Sequence, residues 1–443
     1  MLKTFRIGGI HPKERKISAG KTIQSIDIPE QVIIPLSQHI GAPCQPVVKK
    51  GDKVKVGTLI GKSVGYVSTN IHSSVSGTVL KIDKCLDASG YKRDSVIIKT
   101  DGDEWEASII KNDDLVKNCN LTSKEILERI AQAGIVGMGG ATFPTHVKLT
   151  PPPGTKPEVL IINGVECEPY LTSDHVLMLE KTEEIIVGTT IVMKALKVNK
   201  AIIGIENNKK DAIDKFKKLA KEYPGIEVQA LKVQYPQGGE KQLIDALIGR
   251  QVPSGALPIS VGAVVQNVGS IFAIYEAIQK NKPLVERVVT VTGNDVKQPS
   301  NILSRVGIPI INLIDFAGGI PESTGKIVSG GPMMGKALAS TEVPVTKGTS
   351  GILIIPTIEA KRAKMSDCIR CSKCLNVCPM GLNPTLLMNL TEFEVWDKAE
   401  TNYITDCIEC GSCSYTCPAQ RPLLDYIRLG KGRVNTIIRA RKN

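Results

Sequence analysis

Eight cysteines constrain the C-terminal part of this chain more than any other feature. The run CIRCSKCLNVCP spans 368–379 and CIECGSCSYTCP spans 407–418. Both read C-x2-C-x2-C-x3-C-P, the ligand spacing for a pair of [4Fe–4S] clusters. Three thiolates so spaced cap three irons of one cube, and the fourth, followed by Pro, points away to the other cube. The pairing is therefore expected to be crossed: Cys368, Cys371, Cys374 and Cys417 on one cluster, Cys407, Cys410, Cys413 and Cys378 on the other. Disulfides fit poorly, because MLKTFR at the start lacks the apolar core of a secretory signal. Structural zinc favours two pairs of ligands rather than this arrangement. Cys44, Cys85, Cys119 and Cys167 are scattered and read as ordinary small side chains. A protein with two such clusters moves single electrons.

The whole chain sets looser bounds. Its 443 residues suggest about three or four domains. No apolar stretch approaches the ~20 residues of a membrane-spanning helix, and a reducing, cytoplasmic setting is expected. Net charge is +12, which nucleic acid, an anionic membrane surface or acidic partners would each explain. The few aromatics, 4%, do not interleave with basic runs, so no nucleic-acid partner is expected. A peripheral protein near a membrane, handling acidic redox partners and dinucleotides, is favoured over a merely solvated basic surface.

Residues 1–100 carry short runs of Val, Ile, Gly and Pro. VVKKGDKVKVGTLIG at 47–61 reads as strand, turn, strand, and IHSSVSGTVLKI at 71–82 as another strand pair. This segment resembles the biotinyl/lipoyl barrel-sandwich domain. The Met-Lys-Met acceptor of that family is missing, so a structural or docking role is expected rather than a swinging arm. Residues 120–283 alternate in character: a helix from the capping box at Thr122 to about 133, a strand at 159–162, helix 183–196, strand 201–205, helix 209–222, strand 227–233 and helix 241–248. That alternation predicts a Rossmann-like α/β domain with a mostly parallel sheet. Residues 284–352 return to β character and resemble a soluble-ligand-binding β-grasp module. Residues 360–435 form the expected two-cluster domain, helical between its motifs (384–406).

The run GIVGMGGATFPTHVK at 134–148 follows a helix, not a strand, so it is not the dinucleotide fingerprint. Its glycines let backbone N–H groups approach an anion or a flat ring. Lys148 can neutralise a phosphate and Phe143 can stack on a ring; a structural turn explains the glycines equally well. NGVECEPY at 163–170 follows a strand, where ligands of open α/β sheets bind, although two Glu on a loop are usually just solvated. YPQGGE at 235–240 also follows a strand and opens a helix.

Taken together, these runs resemble the NADH-oxidising FMN flavoprotein of respiratory complex I. The match is closer still, and end to end, to the RnfC family of Rnf electron-transport complexes. The resemblance implies non-covalent FMN held by Gly137, Gly139, Gly140, Lys148, Asn163 and Glu166, with Gly239, Glu240 and Asn267 lining the pocket. It implies that NAD(H) lies near Phe143 and Glu168. Val165 stands where the complex I flavoprotein has Asp, so one polar contact is lost. His146 reads as structural, since hydride transfer to flavin needs no acid or base. The implied protein takes or gives hydride at NAD(H) and passes single electrons between FMN and the clusters. Its implied partners are the other subunits of a membrane Rnf complex, including an iron–sulfur subunit that accepts electrons from ferredoxin, and its implied place is the cytoplasmic face of the bacterial membrane. Two rival readings are a cobalamin reductase-like flavin/iron–sulfur protein, against which the leading barrel argues, and a non-enzymatic cluster relay.

Overall fold

The computed structural model describes residues 2–442. The barrel is two small antiparallel sheets. One runs Gln31–Pro35, Lys92–Thr100, Gly77–Leu86, Lys53–Val54, and the other Gln45–Pro46, Leu59–Lys62, Ile71–His72. Val32, Ile34, Ile60, Ile71, Val79, Val96 and Ile98 fill it. The same apolar core continues into Val289, Val291, Ile302 and Ile314 of the β-grasp unit, so barrel and β-grasp are fused rather than tethered.

The first hundred residues do not all enter the barrel. Ile23–Ser25 pairs in parallel with Ser300–Arg305 and becomes the edge strand of the six-stranded β-grasp sheet. Earlier still, Lys3 bridges Leu231 and Ile10 bridges Tyr235, both in the α/β unit. Residues 3–25 thus strap three units together. The barrel strands are also shorter than expected: Val47 and Val48 lie outside the strand Gln45–Pro46.

The α/β unit has four parallel strands in the order Ile226–Leu231, Ala201–Glu206, Val159–Gly164, Ala263–Asn267. Leu160 and Ile162 pack on one face, Val159 and Ile161 on the other. Burial on both faces explains why VLII is an unbroken apolar run rather than an alternating one. Helices Thr182–Leu196 and Val268–Gln279 cover one face, and Glu240–Ile248 the other. Gly188 lies where the first two cross. A Cβ there would sit 2.6 Å from the Ile271 carbonyl oxygen, so only Gly permits the approach.

In the cluster unit, Pro384–Glu392 and Trp396–Thr401 pack against the long helix Leu423–Lys442. The basic tail read at 428–442 is in fact this helix, and it is partly neutralised. Arg428 and Lys431 pair with Glu409, and Arg441 with Asp397 and Glu400. Among the described residues no helix is long and apolar enough to cross a membrane.

Replacing Gly188 by Val should overpack the helix crossing at a cost of about 1–3 kcal/mol. The readout is a lower Tm than the parent; an unchanged Tm would contradict the tight approach.

Candidate functional site

The order of the parallel strands creates the site. Val159–Gly164 is the first strand of the sheet in sequence, and its neighbours lead away in opposite directions, so a crevice opens at its carboxyl end beside Ala263–Asn267. The two strands end in register on Asn163 and Asn267. Asn163 donates to the Gly238 carbonyl at 2.9 Å and accepts from the Val165 amide at 3.2 Å. Asn267 caps helix Val268–Gln279, accepting from Gly269 N at 2.7 Å, and its Nδ2 donates to Asp174 at 2.7 Å.

The glycine loop folds over this pair. Gly137 N donates to Phe143 O at 2.8 Å, closing the loop. Met138 N donates to Ser270 Oγ at 2.8 Å, and Ser270 in turn donates to Val136 O at 3.2 Å, pinning the loop to the start of the same helix. Gly139 crosses Asn267 at φ +78°, where a Cβ would come within 2.8 Å of the amide nitrogen. At Gly140 a Cβ would meet nothing within 4 Å. Among the described residues the amides of Gly139 and Gly140 donate to no protein acceptor. Gly239 opens helix Glu240–Ile248 without a side-chain cap, leaving its first amides free for a ligand. Lys148 pairs with Glu240 and ties the far end of the glycine loop to that helix. Free amides, open glycines and a nearby lysine are the donor set that a flavin phosphate and ring require, so the residues fit FMN. Phe143 lies half-buried on the loop.

Two expected contributors are turned elsewhere. Glu166, at φ +46°, accepts from the amides of Asp174 at 2.7 Å and His175 at 3.2 Å, capping helix Ser173–Glu180. Glu168 accepts from Met333 N at 3.0 Å and Met334 N at 2.7 Å of the β-grasp unit. Buried amines hold the loop beneath them. Lys16 donates to the carbonyls of Glu166, Glu168 and Leu171 at 2.7–3.0 Å. Lys209 donates to Val165 O at 2.8 Å. Burial pushes the Glu168 and Glu206 carboxyls up to about 7, and burial followed by the Glu166 charge lifts Asp174 to about 6. Burial also lowers the Lys16 amine. Sequence reasoning missed Lys16, Asp174, Lys209 and Ser270. A lysine or serine carries no local signal that it will be buried against another segment.

The eight cysteines ring two hollows. Cys378, Cys407, Cys410 and Cys413 line one, and Cys368, Cys371, Cys374 and Cys417 the other. Among the described residues no three His, Cys, Asp or Glu converge as ligands of a single ion. Each loop is bent at equivalent places: Arg370 and Ser372 in one, Glu409 and Gly411 in the other, are left-handed. The thiol-lined hollows fit clusters rather than lone ions. The first is buried; Cys368 and Cys371 leave the second exposed. The buried one adjoins the flavin unit. Tyr235 Oη donates to Cys410 O at 2.8 Å, Gln242 to Pro379 O at 3.1 Å, and Gly9 N to Val377 O at 2.9 Å.

Fold and site together define a flavin- and iron–sulfur-carrying electron-transfer protein built like the complex I flavoprotein. Comparisons narrow this. Residues 3–103 match the RnfC barrel sandwich hybrid domain, 130–276 the Nuo51 FMN-binding domain, 288–337 the SLBB domain and 360–418 a 4Fe-4S dicluster domain. The RnfC-type member of the proton-translocating ferredoxin:NAD(+) oxidoreductase complex of Clostridium ljungdahlii is 50% identical over 97% of this chain and 93% of its own. Its counterpart in the Na(+)-translocating complex of Acetobacterium woodii is 47% identical over 97% and 96%. A solved chain from an NAD+-reducing [NiFe]-hydrogenase is 18% identical, covering 70% of this chain and 62% of that one at a TM-score of 0.49. The chain belongs to the RnfC family of ferredoxin:NAD+ oxidoreductase complexes.

The raised Glu206 carboxyl gives a signed prediction. Its folded value, about 7, exceeds the ordinary 4.5, so the folded state holds the proton longer and this group's contribution falls as pH rises from about 4.5 through 7. Glu206→Gln does not titrate. Its stability relative to the parent should therefore improve from pH 5 to pH 8 in denaturant unfolding; a flat difference would contradict the shift.

Proposed function

We propose that this chain is the NAD(H)-handling peripheral subunit of an ion-translocating ferredoxin:NAD+ oxidoreductase, placed on the cytoplasmic face of the cell membrane. The observation that carries the reading is the direct seating of the buried cysteine hollow on the flavin unit, through Tyr235 and Cys410. FMN is the group that exchanges hydride with a nicotinamide and single electrons with a cluster. The chain's own residues supply the setting. The Gly139 and Gly140 amides and the first turn of Glu240–Ile248 present donors to an anionic group. Lys148 adds positive charge beside it, tempered by Glu240. Asn163 and Asn267 fix the floor of the crevice, and Phe143 offers an apolar face at its edge.

The cysteine sets follow as part of the proposal: Cys378 serves with Cys407, Cys410 and Cys413, and Cys417 with Cys368, Cys371 and Cys374. The buried set stands between the flavin site and the exposed set, which faces a partner iron–sulfur protein. Ion movement belongs to other members of the complex.

Two measurements test this. Anaerobically purified, reconstituted protein should hold non-covalent FMN and about eight irons, both bleached by NADH. Iron without flavin, unmoved by NADH, leaves only a cluster relay. The crossed assignment is tested by EPR of single variants. Cys378→Ser should remove the same cluster signal as Cys410→Ser, and Cys417→Ser the same as Cys371→Ser. Loss of the signals grouped by contiguous motif instead would overturn the crossing.

A further inference from the structure

The barrel lacks an acceptor lysine, and the flavin and cluster sites leave it without a task. Its contacts suggest one. We propose that the barrel is a rigid buttress for the glycine loop and that Lys347, on the β-grasp unit, is the positioning residue locking the two together. This rests on the flavin reading above.

A loop rich in glycine cannot hold its own shape, because each glycine leaves the backbone free. Its ends must be fixed from outside. The loop begins where helix Ser123–Gln132 runs out, and the last carbonyls of a helix have no partner within it. Here they are met by other units. Thr69 Oγ1 of the barrel donates to Ala131 O at 3.2 Å, and Asn70 Nδ2 to Gln132 O at 3.3 Å. Lys347 Nζ donates to Gly134 O at 2.7 Å and to the barrel carbonyl of Asn70 at 2.8 Å. One amine therefore joins the root of the glycine loop, the barrel and the β-grasp unit.

The tip is held too. Ile40 N of the barrel donates to Thr142 O at 3.4 Å, and Thr142 is itself left-handed at φ +55°. Gly348, the residue after Lys347, lies so close to the Thr142 methyl that a Cβ would come within 2.5 Å. The main chain at Lys347 is fixed in turn, its amide donating to Gln38 Oε1 at 3.0 Å. Gly134 must be glycine for the same reason: a Cβ would lie 2.2 Å from Asn70 O and 2.6 Å from Lys347 Nζ.

Lys347 is 1% exposed, and its bonded partners are carbonyls rather than a carboxylate. A buried amine without a counter-charge is expensive, and burial lowers this one to about 7. Such a residue does not arise from surface solvation. Its geometry serves the loop, where a purely structural core position would be filled more cheaply by Met or Leu.

The test uses the full chain with its clusters reconstituted and flavin removed, titrated with FMN by fluorescence quenching. Lys347→Met keeps the length and apolar stem but removes the donors. It should weaken FMN binding by about tenfold or more, speed hydrogen exchange at amides 135–142, and leave the EPR of both clusters unchanged. A merely structural role would lower Tm while folded K347M bound FMN within about twofold of the parent; that result overturns the proposal. Should K347M fail to fold, the double variant T69V/N70A decides. It keeps Lys347 and removes two barrel donors, and is expected to weaken FMN by about threefold or more; binding within about twofold overturns the buttress role. A parent protein that binds no FMN at all would instead sink the flavin reading.

Discussion

Electrons cross protein only over short gaps, so everything here depends on one seam, where the 235–240 loop of the α/β unit meets the cysteine loop at 407–413. Tyr235, 1% exposed, forms its centre. Ile10 and Cys410 bury against it, with Cys167, Met333, Val377 and Ile408 at the margin. These residues come from the leading strap, the crevice loop, the β-grasp unit and the cluster unit. The seam is thus closed from four sides, and a shift in any one unit would move the two redox sites relative to each other. Apolar packing excludes water, and the Tyr235 hydroxyl satisfies a carbonyl that would otherwise be buried alone.

Buried lysines are the second recurring device. Lys16, Lys209 and Lys347 each aim their amine at backbone carbonyls on loops that bear on the site. A carbonyl-rich loop has unmet acceptors and few ways to meet them from its own side chains. A long side chain from another unit supplies several donors at once, at the cost of desolvating its charge. Carboxylates play the complementary part: Glu166 and Glu168 gather amides at two junctions of the crevice loop. The net positive charge of the chain is therefore not all surface charge available to a lipid or partner. Part is interior scaffolding, and part is paired along helix Leu423–Lys442.

What could be read from the sequence follows the range of the forces. The cysteine motifs are local, and thiols spaced by turns of the chain gather wherever the helices after them lead. The parallel sheet was legible because VLII and AIIGI are strands buried on both faces. Strand Ala263–Asn267 and helix Val268–Gln279 were not foreseen: the helix is apolar nearly all round, so it shows no amphipathic period, and the Asn267 cap was the one signal available. The glycine loop was legible as a loop, but not its anchors, since Ser270 and Lys347 lie far along the chain. For Glu166 and Glu168 the loop was read correctly as the site's edge, while their carboxylates are engaged by amides that only tertiary folding brings near.

The strap formed by residues 3–25 has a consequence for how the chain is made. Its partners are Leu231, Tyr235, Val377 and Asn301, all synthesised after it and some near the end of translation. At ordinary rates of elongation the strap waits many seconds on the ribosome while the barrel and α/β unit condense. It can settle only as the final act of assembly, after the cysteine loops have emerged. The seam between the two redox sites therefore stays open during synthesis and closes last, leaving the nascent protein accessible to whatever delivers its iron and sulfur.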